Sequence, residues 1–269
     1  MTLPVPHYYQ ILHAPGVVAR VTVNDIPFYR RAVDFSMSPA GPFNHMIVPG
    51  ENIVVIELAE AAGPIAATAT RTFDFRVMRE ADDRVIYRMK WPDVASEPRP
   101  EGLEPPIRYL DKERELPIVH TGRFEPDFEN PRPLWLDAPP GAFPAEGTQD
   151  QHDAVLELHD AFRRRDVDGF LAASELKLAE HRRFYGVIPE LAPDAAKARY
   201  SEMLREPWDL DPYDPKQLVF ERRADGRAAY VTRKDGTPAL QARHQTDPSQ
   251  AWGANLLLTR AEGRWRIFW

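Results

Sequence analysis

The sequence predicts a two-domain protein, an all-β sandwich followed by an α+β domain, with a proline-rich stretch between them. Three observations carry this. Seven short runs rich in β-branched and aromatic residues fall between His7 and Trp91. Three helical patterns follow between residues 150 and 207, and alternating apolar and polar residues fill the last third from Gln217 to Trp269. A chain of 269 residues, 43% hydrophobic and 28% charged, is long enough for two separate cores and ordinary in composition. The boundaries implied are a β-sandwich at residues 1–95, an ordered connector at 96–147 and an α+β domain at 148–269.

In the first region the runs are His7 to His13, Val17 to Val23, Phe28 to Phe35, Met46 to Val48, Ile53 to Leu58, Thr72 to Met78 and Arg84 to Trp91. Turn-forming residues such as Asn24-Asp25 and Pro49-Gly50-Glu51-Asn52 separate them. So many short strands in about ninety residues make a sandwich the economical fold. Val21 to Pro27, followed by Asn44 to Val55 with its Pro-Gly-Glu-Asn turn, resembles the jelly-roll modules of the galactose-binding-like type. That resemblance implies a polar lip at Asn24, Asn44, His45, Glu51 and Asn52. The same side chains at turns more often cap backbone groups than bind ligands.

Twelve prolines lie between Pro92 and Pro144, which excludes a long helix and disfavours central strands. The stretch also carries Ile107, Tyr109, Leu110, Phe124, Leu134 and Trp135, too apolar for a free linker, so it is expected to be ordered. His120-Thr121-Gly122-Arg123 reads as a surface turn.

The helical patterns run from Gln151 to about Arg165, from Asp166 with a break near Ser174, and from about Asp194 to Glu206, with Pro193 in its first turn. In the last run Trp265, Ile267 and Trp269 point one way, and Arg264, Arg266 and Phe268 the other. Trp252, Ala254, Leu256 and Leu258 share the period of the first set, which makes them the floor for the first two helices. Ala154 to Leu171 is a helix ending in three arginines, an acidic turn at Asp166, and a second helix opening at Phe170-Leu171. Together with Asn255 to Ile267 and its Gly-x-Trp-x-Ile strand, it is similar to the nuclear transport factor 2-like superfamily, also called SnoaL-like or cystatin-like. The resemblance implies a cone in which a curved antiparallel sheet wraps three helices and leaves a pocket at its wide end. The fold hosts isomerases, dehydratases, hydrolases and pure binding proteins alike, so it implies no single activity.

Composition narrows the function. A net charge of −7 without a basic stripe argues against nucleic acid, although residues 217–269 hold nine basic against five acidic residues. With no cysteine there is no disulfide framework, thiolate metal site or cysteine nucleophile. Met1 to His7 lacks a signal peptide's n-region and h-region, and no apolar window is long enough to span a membrane, so the expected compartment is cytoplasmic. His152 and His159 sit seven apart, about 10.5 Å along a helix, too far to share one metal. No metal or other cofactor is expected.

For acid/base chemistry inside a cone the candidate catalytic residues are His244, Tyr230 and Tyr200. His244 is favoured because it shares a strand face with Leu240 and Ala242. The candidate ligand-binding residues are His244, Arg243, Tyr230, Arg266 and Tyr185; Arg243, Arg264 and Arg266 on neighbouring strands could receive an anion. His181, among charged neighbours, is expected to face solvent. A lone histidine on an apolar face is more often a hydrogen-bonded core residue than a base. The expectation is therefore a non-catalytic binding protein for a small molecule or a protein partner, compatible with homo-oligomer formation. The alternative is a pocket enzyme of isomerase, dehydratase or hydrolase type acting on an apolar organic molecule.

Overall fold

The structure, a computed structural model, describes residues 7–32, 38–61, 71–79, 82–92, 107–110, 115–126, 128–185, 193–247 and 249–268. Among them are four sheets and four α-helices. Contacts divide the chain into two units, Met1–Arg132 and Pro133–Trp269, and all four helices fall in the second. Trp269 and the end of the run at 33–35 lie outside the described residues.

In the first unit, β1 (His7–His13), β4 (Ala40–Pro42), β6 (Phe73–Arg79), β7 (Val85–Trp91) and β8 (Ile107–Tyr109) form a sheet ordered β4-β1-β6-β7-β8. The second sheet, ordered β3-β2-β5-β9, contains β2 (Val17–Val23), β3 (Ile26–Ala32), β5 (Asn52–Glu60) and β9 (Ile118–Phe124). Alternation sets the inner faces. Val17, Ala19, Val21 and Val23 are buried from β2, as are Val54, Ile56 and Leu58 from β5. They share the unit's core with Phe73, Phe75, Val77, Tyr87 and Met89 of the first sheet, and the two sheets touch through Tyr29–Phe73 and Tyr87–Phe124. Asn24 and Asp25 both take positive φ, 52° and 64°, the backbone that a tight two-residue hairpin needs.

The polar residues of the proposed lip instead hold turns together. Asn52, fully buried, accepts from the Val48 N–H at 2.8 Å and donates to the carbonyls of Val48 and Gly50. Asn24 donates to Asn52 and accepts from the Ile53 N–H, and Asn44 accepts from the His7 N–H at 2.7 Å. Glu51 pairs with Arg123.

The proline-rich stretch contributes to both units. Its residues 118–124, read as containing a surface turn, are a full strand paired along β5. Pro117 and Pro126 flank this strand without interrupting it. Its buried positions include Gly122, where a Cβ would lie 2.3 Å from the Tyr87 hydroxyl, so the alternation was masked by a glycine on the inner face.

In the second unit, helix α1 (Gln149–Arg164) starts at Thr148, whose N–H donates to the Gln151 side chain at 2.8 Å. It ends in the left-handed Arg165, φ 56°. Asp166 then caps α2 (Val167–Ala173) by accepting from the Gly169 N–H at 2.9 Å. The chain breaks at Ser174, making α3 (Glu175–Tyr185) a separate helix, and α4 (Pro193–Arg205) follows. Four helices therefore stand where three patterns were read.

Strands β11 (Leu218–Arg223), β12 (Ala228–Arg233), β15 (Leu256–Ala261) and β16 (Arg264–Ile267) form one antiparallel sheet ordered β11-β12-β15-β16. A smaller sheet, β10-β13-β14, holds β10 (Trp208–Leu210), β13 (Leu240–His244) and β14 (Ala251–Ala254). Phe220, Val231, Leu256, Leu258, Trp265 and Ile267 pack with Val155, Leu158 and Phe162 of α1 in one core, as the period predicts, with Trp252 and Ala254 at its margin. The opposite face is not left to solvent: Tyr230, Leu257 and Phe268 are buried there. Residues 133–147 belong to this unit. Phe143 meets Trp265 edge-on at 5.3 Å, and the Phe220 N–H donates to the Ala145 carbonyl.

Candidate functional site

A groove of about 490 Å³ lies in the second unit where three elements converge. A 3-10 turn at Leu134–Asp137 supplies Leu134 and Asp137, with Ala138 beside them. The break between α2 and α3 supplies Ala172, Ala173, Glu175, Leu176 and Ala179. The hairpin β15–β16 supplies Arg260, Ala261, Glu262 and Arg266. Glu262 and Gly263, with φ of 53° and 80°, turn that hairpin in two residues, which keeps both arginines at one end of the sheet.

The walls are tied in place by buried polar contacts. Glu180 of α3, 3% exposed, accepts from the Leu134 backbone N–H and lies 3.3 Å from Arg183. Burial pushes its pKa up, opposed by the Leu134 hydrogen bond and by Arg183. On the other side Arg227 donates to the Ala138 carbonyl at 3.1 Å, and the Thr259 hydroxyl donates to the Arg227 carbonyl. Arg260 stacks over the Trp265 ring at 5.3 Å, which orients its guanidinium. Neither Arg260 nor Arg266 forms an ion pair among the described residues, although Asp137, Glu175 and Glu262 line the same groove.

Of the residues singled out from the sequence, only Arg266 lines this groove. Arg243 is exposed on β13, in the other sheet from Arg266, so the expected arginine cluster on neighbouring strands does not form. His244 shares the face of Leu240 and Ala242, but its ring is engaged: Nδ1 accepts from the Asp247 N–H at 3.1 Å and Nε2 faces Glu206 at 3.3 Å. Tyr230 is buried in β12 on the face opposite the core shared with α1. Tyr200 is core, 4.9 Å from Phe170, and Tyr185 is buried at the end of α3 beside His181.

His181 is partly buried rather than solvent-facing, and burial with the nearby charges of Lys177 and Arg199 pulls its pKa down to about 3. Lys177 is itself lowered to about 8, chiefly by desolvation. His152 and His159 each fasten the loop before β11. His152 donates from Nε2 to the Glu146 carbonyl, so Nδ1 accepts the Tyr213 hydroxyl at 2.9 Å. Burial raises the Tyr213 pKa to about 12, keeping that hydroxyl protonated. His159 meets the Asp211 carbonyl at 3.0 Å.

Sequence reasoning missed Arg260, Glu180 and the alanines. A faint signal existed: Ala172-Ala173-Ser174 puts small residues at the very break that had been read in the helix, which leaves room there. Among the described residues, no cluster of three metal-ligating side chains is present, and no helix is long and apolar enough to cross a membrane. No family model, curated protein or solved structure matches the chain.

Proposed function

We propose that the chain is a non-catalytic binding protein whose small-molecule ligand occupies the groove between the 3-10 turn, the α2–α3 break and the last hairpin. In this reading the second unit is a nuclear transport factor 2-like cone, and the first a galactose-binding-like β-sandwich that offers an interaction surface. The observation that carries it is the groove itself: about 490 Å³, lined by alanines and leucines together with five charged residues, falls within the range of small-molecule sites. The engagement of the histidines and tyrosines supports binding over catalysis.

The enzyme alternative draws on His244, whose imidazole lies beside the Glu206 carboxylate. Yet Nδ1 accepts from a backbone N–H, so the neutral ring carries its proton on Nε2 toward Glu206 and has no lone pair left for a substrate.

The test is a small-molecule panel read by thermal melting of the full chain and of Ala172→Trp. Ala172 is exposed and lines the groove, so enlarging it fills the site while sparing the core. A ligand at about a hundred times its Kd should stabilise the native chain by about 2.7 kcal/mol and leave the variant's midpoint unmoved. Equal stabilisation of both proteins would reject the groove as the site.

A further inference from the structure

We propose that the outer face of the sheet β3-β2-β5-β9 is a pairing surface for a second copy of this chain, packed face to face about a dyad that runs along the strands between β2 and β5. This rests on the reading of the first unit as an interaction surface, names its partner, and does not involve the groove.

Alternation turns one face of this sheet to the outside, and that face is apolar in patches. Val18 and Thr22 of β2, Ile53 and Val55 of β5, and Val119 and Thr121 of β9 point outward, opposite to the buried Val21, Ile56 and Phe124. Ile53 and Val119 are 36% and 59% exposed, and they are two of the three large hydrophobic residues exposed among the described residues. A sheet face that only meets water carries polar residues at these positions, so its aliphatic side chains mark a contact surface.

The charges on the same face select the partner. Arg30, Arg20, Glu57 and Val119 are in register across the four strands and form one row. Arg20 and Arg30 are like charges directly opposite each other, which costs stability, and Glu57 reaches Arg20 at 3.8 Å. A dyad between β2 and β5 lays this row on its own reverse, so that Arg20 meets Glu57 of the partner subunit and Val119 covers Arg30 of the partner subunit. In the next row Thr22 meets Val55 of the partner subunit in the same way. Arg20, Arg30 and Arg123 are nearly balanced by Glu51 and Glu57, which suits a copy of the same face better than a strongly charged partner. Four strands of seven to nine residues, about 4.8 Å apart, span roughly 450 Å² in projection, a small interface for which micromolar association is expected.

Sedimentation velocity of the full chain from about 1 to about 200 µM tests this, with thermal melts to show that each variant stays folded. The native chain should pass from monomer to dimer over that range. Arg20→Glu sets like charges against each other at both copies of the contact and should weaken the dimer at least about tenfold. Adding Glu57→Arg should restore it to within about threefold, because the pair is remade with its signs exchanged. Val119→Lys, which faces Arg30 of the partner subunit, should weaken it as Arg20→Glu does. Leu12→Lys, at the exposed position on the other sheet, should change nothing. A native chain that stays monomeric at about 200 µM, or assemblies that grow beyond the dimer, would overturn the proposal, while the groove stands or falls on its own ligand melts. A dimer that withstands both Arg20→Glu and Val119→Lys, or yields to Leu12→Lys, would overturn the choice of face. If Val119→Lys fails to fold, loss and recovery across the charge exchange still decide.

Discussion

Trp265 joins three layers of the second unit: it is 3% exposed in the helix-facing core, meets Phe143 edge-on and lies under Arg260. Trp265→Ala is therefore expected to cost about 3 to 5 kcal/mol, enough to lower the thermal midpoint by many degrees. A midpoint within a degree or two of the native chain would contradict that packing. His181 makes a second residue-scale prediction, in pH. The unfolded ring takes a proton below about 6.5, whereas the folded ring resists until about 3. Between those values the unfolded chain binds more protons, so stability falls as pH drops through that window. His181→Gln should flatten this acid decline by on the order of 1 to 2 kcal/mol, measured by urea melts at pH 6.5 and 4. Trp265 was legible because a period of two needs only a few residues. The role of His181 was not, because its burial and the nearby charge of Arg199 come from packing that no local pattern records.

Elements were most legible where pattern and punctuation agreed. Asp166 was read as a cap and is one; Asn24-Asp25 and Glu262-Gly263 were read as turns and have the positive φ values of tight hairpins. Strand β9 escaped because prolines crowd its flanks and Gly122 occupies an inner-face position. That glycine is required: a Cβ would collide with the fully buried Tyr87 ring, at 2.3 Å from its hydroxyl. Gly122→Ala should destabilise by about 1 to 3 kcal/mol, seen as a lower urea midpoint with an unchanged slope. No loss would mean that β9 does not pack on β7 as described. The smaller sheet β10-β13-β14 was also missed as a separate unit. Its strands are three to five residues long, and Asn255 interrupts what read as one continuous arm through Trp252 and Leu258.

At the scale of the molecule, the groove could not be read from the sequence, since its lining comes from residues 134–138, 172–179 and 260–266, which only folding brings together. The same assembly predicts how the chain divides. A fragment spanning 133–269 should remain soluble with a sharp melt, whereas one spanning 148–269 loses Trp135, Phe143 and the strand-like contact of Ala145 with Phe220. Exposing the core they cover should make the shorter fragment aggregate, and equal solubility of the two would reject this. The segment 133–147 thus has to travel with the rest of the second unit. If such chains exchange parts by recombination, viable crossovers should fall upstream of Pro133, and those at residue 148 should leave few descendants, because the inherited piece would arrive without its own side wall.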